Sequence, residues 1–156
     1  AIRLWSEKVD LQHFRKAVSA EWSYLDMVTG LPWVTKSSSE EFIPQMLNLD
    51  KLGGISFNKG CYTGQEIIAR THYLGKVKRE MFLAECESSS HPEANADIID
   101  KNSKNQEVVG KILNVQQTSQ KCVMLVILQV TDSRHDDLGL QGDELSQIKL
   151  ISYAYD

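Results

Sequence analysis

The sequence predicts an α+β protein: the remnant of an α/β domain followed by a small antiparallel β-barrel. Three observations predict it. Apolar residues before Lys76 recur at helical spacing and stop at glycine and proline. After Lys76 they form strand-length runs divided by loops of Ser, Asn, Asp and Gly. One of those runs, Cys122 to Val130, is apolar on both faces and should be the central, most buried strand.

Taken in order, Glu7 to Val18 reads as a helix with Val9, Phe14 and Val18 near one face and Ser6 as N-cap. Trp22 to Met27 continues helical and should end at Gly30-Leu31-Pro32. The serine-rich stretch from Lys36 to Glu41 reads as a loop. Phe42 to Leu52 is mixed, and Gly53-Gly54 separates it from a short strand, Ile55-Ser56-Phe57. A further helix opens at Thr63 or Gly64 and runs to about Tyr73, with Ile67, Thr71 and Leu74 at helical spacing and Gly75 as its C′ residue. The strand-like runs are Val77 to Cys86, Val108 to Val115, Cys122 to Val130 and Leu145 to Ser152. Ser88-Ser89-Ser90 marks a loop tip. Three regions result: 1–50, the end of an α/β domain; 51–75, a loop and helix; and 76–156, the barrel. The opening Ala1-Ile2-Arg3-Leu4-Trp5 reads like the middle of a strand, so the chain is expected to be a fragment.

Composition excludes several classes. A formal net charge of −4 gives no overall signal for nucleic acid or membranes. No apolar run is long enough to span a bilayer and no signal peptide is visible, so a cytoplasmic protein with no membrane partner is expected. Cys61, Cys86 and Cys122 show no C-x-x-C spacing, and His13, His72, His91 and His135 no ligand spacing, so no metal site is expected. One segment departs from the acidic average. Residues 59–79 carry Lys59, Arg70, Lys76, Lys78 and Arg79 against Glu66 alone, a net +4. This is either a solvated face or an anion site for a folate glutamate tail or an RNA backbone.

The run Lys59-Gly60-Cys61-Tyr62-Thr63-Gly64-Gln65-Glu66 carries the chemistry. It sets a cysteine just ahead of a helix N-terminus, whose partial positive charge favours a thiolate, with Lys59 two residues away. Gln65 and Glu66 fall in the first turn, and Glu66 can accept hydrogen bonds from a heterocycle. An arbitrary cysteine in such a turn is usually inert, and Cys86 and Cys122, in apolar strands, keep that reading.

The motif resembles the signature of the YgfZ family, relatives of the glycine-cleavage T-protein, and of their mitochondrial iron–sulfur-assembly counterparts. The resemblance extends through Phe42-Ile43-Pro44-Gln45, Asn48-Leu49 and Gly53 to Phe57, then on to Ala69-Arg70 and Lys78-Arg79. It implies a folate-binding region, residues 1–50 being its C-terminal part, ahead of a C-terminal barrel. The implied role is maintenance of iron–sulfur client proteins and, through them, tRNA modification. By position Cys61 takes the family's activity-linked cysteine, and Trp22 takes a tryptophan that contacts folate. Lys59, Tyr62, Gln65, Glu66 and Arg70 are further candidates for the tetrahydrofolate site. Where relatives carry a pterin-anchoring Glu, this chain has Val28, which neither donates nor accepts a hydrogen bond, and Asp26 lies on another face. Folate binding is therefore expected in the full-length parent and weak or absent in the fragment. The expected function is an accessory role rather than classical enzyme catalysis. The alternatives are a folate-dependent aminomethyltransferase and a direct tRNA-binding protein using residues 59–79.

Overall fold

The structure, a computed structural model, describes residues 16–87, 91–117, 122–130 and 137–154. Helix α1 (Ser19–Val28) and helix α2 (Gln65–Leu74) precede six strands. These are β1 (Arg79–Glu87), β2 (Asp97–Asp100), β3 (Val108–Gln117), β4 (Cys122–Gln129), β5 (Leu138–Leu140) and β6 (Asp143–Ile151). Every pairing is antiparallel and the strands close in the order β1-β4-β3-β2-β5-β6. The expected α+β class with a barrel after Lys76 is what the chain forms.

The central strand owes its burial to two separate layers. Cys122, Met124, Val126 and Leu128 pack with residues from all five other strands, so they fill the barrel interior. Val123, Leu125 and Ile127 point the other way, onto a second core built with Met81, Leu83 and Leu113. Met27 of α1 and Leu47 of a 3-10 turn (Pro44–Leu47) cover that outer core. β4 is therefore apolar on both faces because a barrel lies on one side and the preceding segment on the other. Gly110 is needed where β3 crosses β4, since a Cβ there would stand 2.3 Å from the Ile127 carbonyl oxygen.

Side chains pin the preceding segment to the barrel. β6 pairs with β1 only from Leu83 onward, which leaves the Met81 carbonyl without a ladder partner on that side. Asn48 Nδ2 donates to it at 2.8 Å and the Tyr153 hydroxyl at 2.9 Å. Asn114, at the β3 bulge, accepts from the Trp33 amide and donates to the Trp33 carbonyl. α1 ends in a Schellman closure: the Leu31 amide donates to the Asp26 carbonyl and the Gly30 amide to that of Met27, with Gly30 at φ 68°.

Several local expectations are corrected. The helix expected over Glu7 to Val18 lies outside the described residues, except that Lys16 to Val18 are non-helical and Val18 is extended. The serine-rich loop contains a 3-10 turn (Lys36–Ser38) closed by reciprocal Thr35–Ser38 bonds. Ile55 to Phe57 joins no ladder, because the barrel is closed without it. The first barrel strand starts at Arg79 rather than Val77. Gly75 is extended, not left-handed; its role is steric, since a Cβ there would meet the Thr71 backbone at 3.1 Å. β2 and β5 were not expected, being only four and three residues long.

Candidate functional site

The motif loop runs from Asn58 to Gly64 and delivers the chain into α2. Gly64 is the N-cap, at φ 86°, a left-handed conformation that explains the glycine. Gln65 closes the loop: its Oε1 accepts the Tyr62 amide at 3.3 Å while its own amide donates to the Tyr62 carbonyl at 3.2 Å. The Lys59 ammonium sits 4.8 Å from the centre of the Tyr62 ring. That contact holds the Lys59 charge on the aromatic face. Lys59, Tyr62 and Gln65 thus form one local unit around Cys61.

Cys61 is exposed, whereas Cys86 and Cys122 are buried. The two buried cysteines face each other across the β1–β4 pairing. Burial pushes the Cys86 thiol up to about 11 and raises that of Cys122. Exposure therefore separates Cys61 from Cys86 and Cys122, which are buried in strands as their apolar runs indicated. Glu66 is exposed in the first turn of α2, where its charge complements the dipole, and Arg70 is exposed further along the same helix.

The residues proposed from the resemblance do not all converge. Trp22 sits on α1, 66% exposed. A cleft of about 520 Å³ is lined by Glu41, Met46, Lys78, Arg79, Gln129 and Val130, and one of about 470 Å³ is lined by residues that include Lys101 and Glu144. Neither contains Trp22 or a motif residue. Asp26, two residues before Val28, accepts the Trp33 indole N–H at 2.8 Å. None of the clefts among the described residues brings Trp22 together with Lys59, Tyr62, Gln65, Glu66 or Arg70.

Sequence reasoning passed over the residues that hold this region together. Gln45, almost fully buried, donates from Nε2 to the Ile68 carbonyl at 2.7 Å and so ties α2 to the turn on the barrel wall. Its Oε1 and the Oδ1 atoms of Asn48 and Asp50 are buried without a hydrogen-bond partner among the described residues. Such acceptors are commonly satisfied by ordered water. The only signal was polar residues inside the mixed run from Phe42 to Leu52. A second missed feature is an aromatic group: Phe57 stacks on His72 at 3.9 Å, and Tyr73 meets both rings edge-on. Among the described residues no cluster of potential metal ligands occurs, and no helix is long and apolar enough to cross a membrane.

Barrel, pinned outer layer and loop together define an α+β segment that presents one accessible cysteine ahead of a short helix. No family profile matches the chain. Over 137 residues, 88% of its length, it is 34% identical to proteins named tRNA-modifying protein YgfZ from Escherichia coli O45:K1 (strain S88 / ExPEC), O81 (strain ED1a) and O127:H6 (strain E2348/69 / EPEC). The chain spans 42% of the length of these relatives. Over the segment shared with them its sequence is similar to the YgfZ family, as the motif resemblance implied.

Proposed function

We propose that this segment works within a longer, cytoplasmic, folate-binding accessory protein that supports assembly or repair of iron–sulfur enzymes and thereby tRNA modification. The observation that carries the reading is the exposed Cys61, held in a glycine-flanked loop, in a chain whose relatives are named tRNA-modifying proteins. The first 50 residues would close one side of the folate site, with Trp22 as a stacking face and residues 59–70 nearby. The remaining walls come from the rest of the longer protein. Cys61 is the residue on which activity depends, by contacting a client's cluster. The alternative reading, an aminomethyltransferase, places its acid–base group outside this chain.

The test is complementation by the full-length protein in cells lacking their own homologue, with activity of an iron–sulfur enzyme as readout. The wild type should restore that enzyme without transferring an aminomethyl group to tetrahydrofolate. Cys61→Ala should fold normally, since an exposed loop side chain is removed, and should fail to restore it. Robust aminomethyl transfer, or full rescue by Cys61→Ala, overturns the accessory reading.

A further inference from the structure

The net +4 of residues 59–79 is not spread evenly in space. Lys78 and Arg79 both line the cleft of about 520 Å³, at the rim of the barrel where β1 begins and β4 ends. The backbone there is fixed: the Val130 amide donates to the Lys78 carbonyl at 2.9 Å, and Arg79 pairs in register with Gln129. Glu41, the acid on the cleft wall, already has a cation, the Lys111 ammonium at 3.7 Å. Glu80, the next acid along β1, pairs with Lys51. Neither Lys78 nor Arg79 has an ion-pair partner among the described residues, so the cleft keeps two uncompensated positive charges. Met46 gives it an apolar wall. Such a concavity suits a tetrahedral or planar anion attached to something larger.

What that larger body is follows from the neighbouring surface. Gln45, the residue before Met46, holds α2 against the cleft's wall through the Ile68 carbonyl. The far end of α2 carries His72 and Tyr73, both exposed, in contact with Phe57. Tyr73 is 66% exposed and so presents ring surface to solvent rather than to a core. The five-residue span from Tyr73 to Lys78 cannot exceed about 18 Å, and Lys76 lies within it. A cleft with two unpaired cations, an intervening lysine and an exposed aromatic group thus lie within one short stretch of chain. Single-stranded RNA matches this pattern: its backbone meets the cations while its unstacked bases lie on aromatic rings. A glutamate tail would use the cations and leave the rings idle.

We propose that this surface binds single-stranded RNA, with a backbone phosphate in the Lys78–Arg79 cleft and an unpaired base on the Tyr73 ring. The inference deepens the tRNA-related reading above and rests on it for the choice of RNA over other polyanions. It does not depend on Cys61 or on folate.

The test is fluorescence anisotropy of this chain with a labelled single-stranded RNA of roughly ten nucleotides, the scale of known single-strand grooves. Binding should weaken as salt rises. The Lys78→Ala, Arg79→Ala double variant should bind about tenfold or more weakly, and the slope of log K against log salt should fall by about 0.7, the value for one lost phosphate contact. Tyr73→Ala should bind at least about fivefold more weakly, by loss of one base stack, with the salt slope unchanged. All three side chains are exposed, and a thermal melt of each variant confirms the fold. No RNA binding, or equal affinity in wild type and both variants, overturns the proposal. So does tighter binding of a poly-glutamate chain with indifference to Tyr73→Ala, which would assign the cleft to an acidic tail. Because complementation is scored separately, absence of RNA binding by the wild type with iron–sulfur rescue intact would sink this inference and leave the accessory function standing.

Discussion

β4 and α2 are opposite solutions to the same problem of placing apolar side chains. β4 holds seven consecutive buried residues, Cys122 to Leu128, none more than 4% exposed, enclosed by the barrel on one face and the outer layer on the other. α2 is equally regular in backbone yet has no buried residue at all, and leaves Ile67 61% and Leu74 85% exposed. The strand is specified by packing. The helix is held by a few polar ties, chiefly Gln45 to Ile68 and the Gln65–Tyr62 closure, and its composition is free to serve a surface. Residues in the first region answer to stability, while those in the second can be changed at little structural cost.

The largest difference between the regions should appear in thiol labelling. Iodoacetamide should alkylate Cys61 in the native protein at the rate of an open thiol. Cys86 and Cys122 need the barrel to open, and cooperative opening of a small domain reaches populations of only about 10⁻³ to 10⁻⁸. Peptide mapping over time should therefore show labelling at Cys61 long before either strand cysteine. Comparable native rates at Cys61 and Cys86 would mean that the barrel breathes locally and that the comparison fails.

Substitution should sharpen the same contrast in energy. Leu125 is fully buried in the outer core, so Leu125→Ala should cost about 2–5 kcal/mol by lost transfer energy and a residual cavity. Leu74→Ala, at the end of α2, should stay within about 0.5 kcal/mol. Urea melts of the two variants read both values. A small loss at Leu125 would show that the outer layer is loosely docked rather than part of one core.

This contrast also explains what the sequence did and did not disclose. The four long strands were legible because burial imposes an apolar pattern on them, and β4 most of all because two layers bury it. β2 and β5 were not, since Ile98-Ile99 and Leu138-Gly139-Leu140 are too short to show a period. Their neighbours Asp97, Asp100 and Asp137 read as turn residues. The outer layer was invisible for another reason: Asn48 to Met81 and Asn114 to Trp33 join residues 33 and 81 positions apart. Cys61 stood out through its motif, and it is exposed. The Phe57–His72–Tyr73 group did not, because only the fold of the loop brings Phe57 to α2.

The smallest effect concerns the paired strand cysteines and pH. Cys86 lies opposite Cys122 within the barrel interior. Desolvation is the main reason its thiol is raised from 9.0 to about 11, with Cys122, Asp143 and Glu87 adding to the rise and Lys101 opposing it. A raised thiol means that the folded state holds its proton more tightly than the unfolded chain. Below pH 9 both states keep the proton and the contribution is complete. Above it the unfolded chain ionises first, binds fewer protons, and stability falls as pH rises towards about 11, where the folded thiol also ionises. At pH 10 the loss from Cys86 should be on the order of 1 kcal/mol, the value of one pH unit of differential binding. Urea midpoints at pH 8, 9 and 10 should therefore decline more steeply in the wild type than in Cys86→Ala, which lowers the baseline but removes the titrating group. Cys122, raised by burial alone, should leave a residual decline in that variant. Parallel declines in the two proteins would place the alkaline sensitivity in groups outside the barrel, and would show that this end of its interior is wetter than the burial of both cysteines requires.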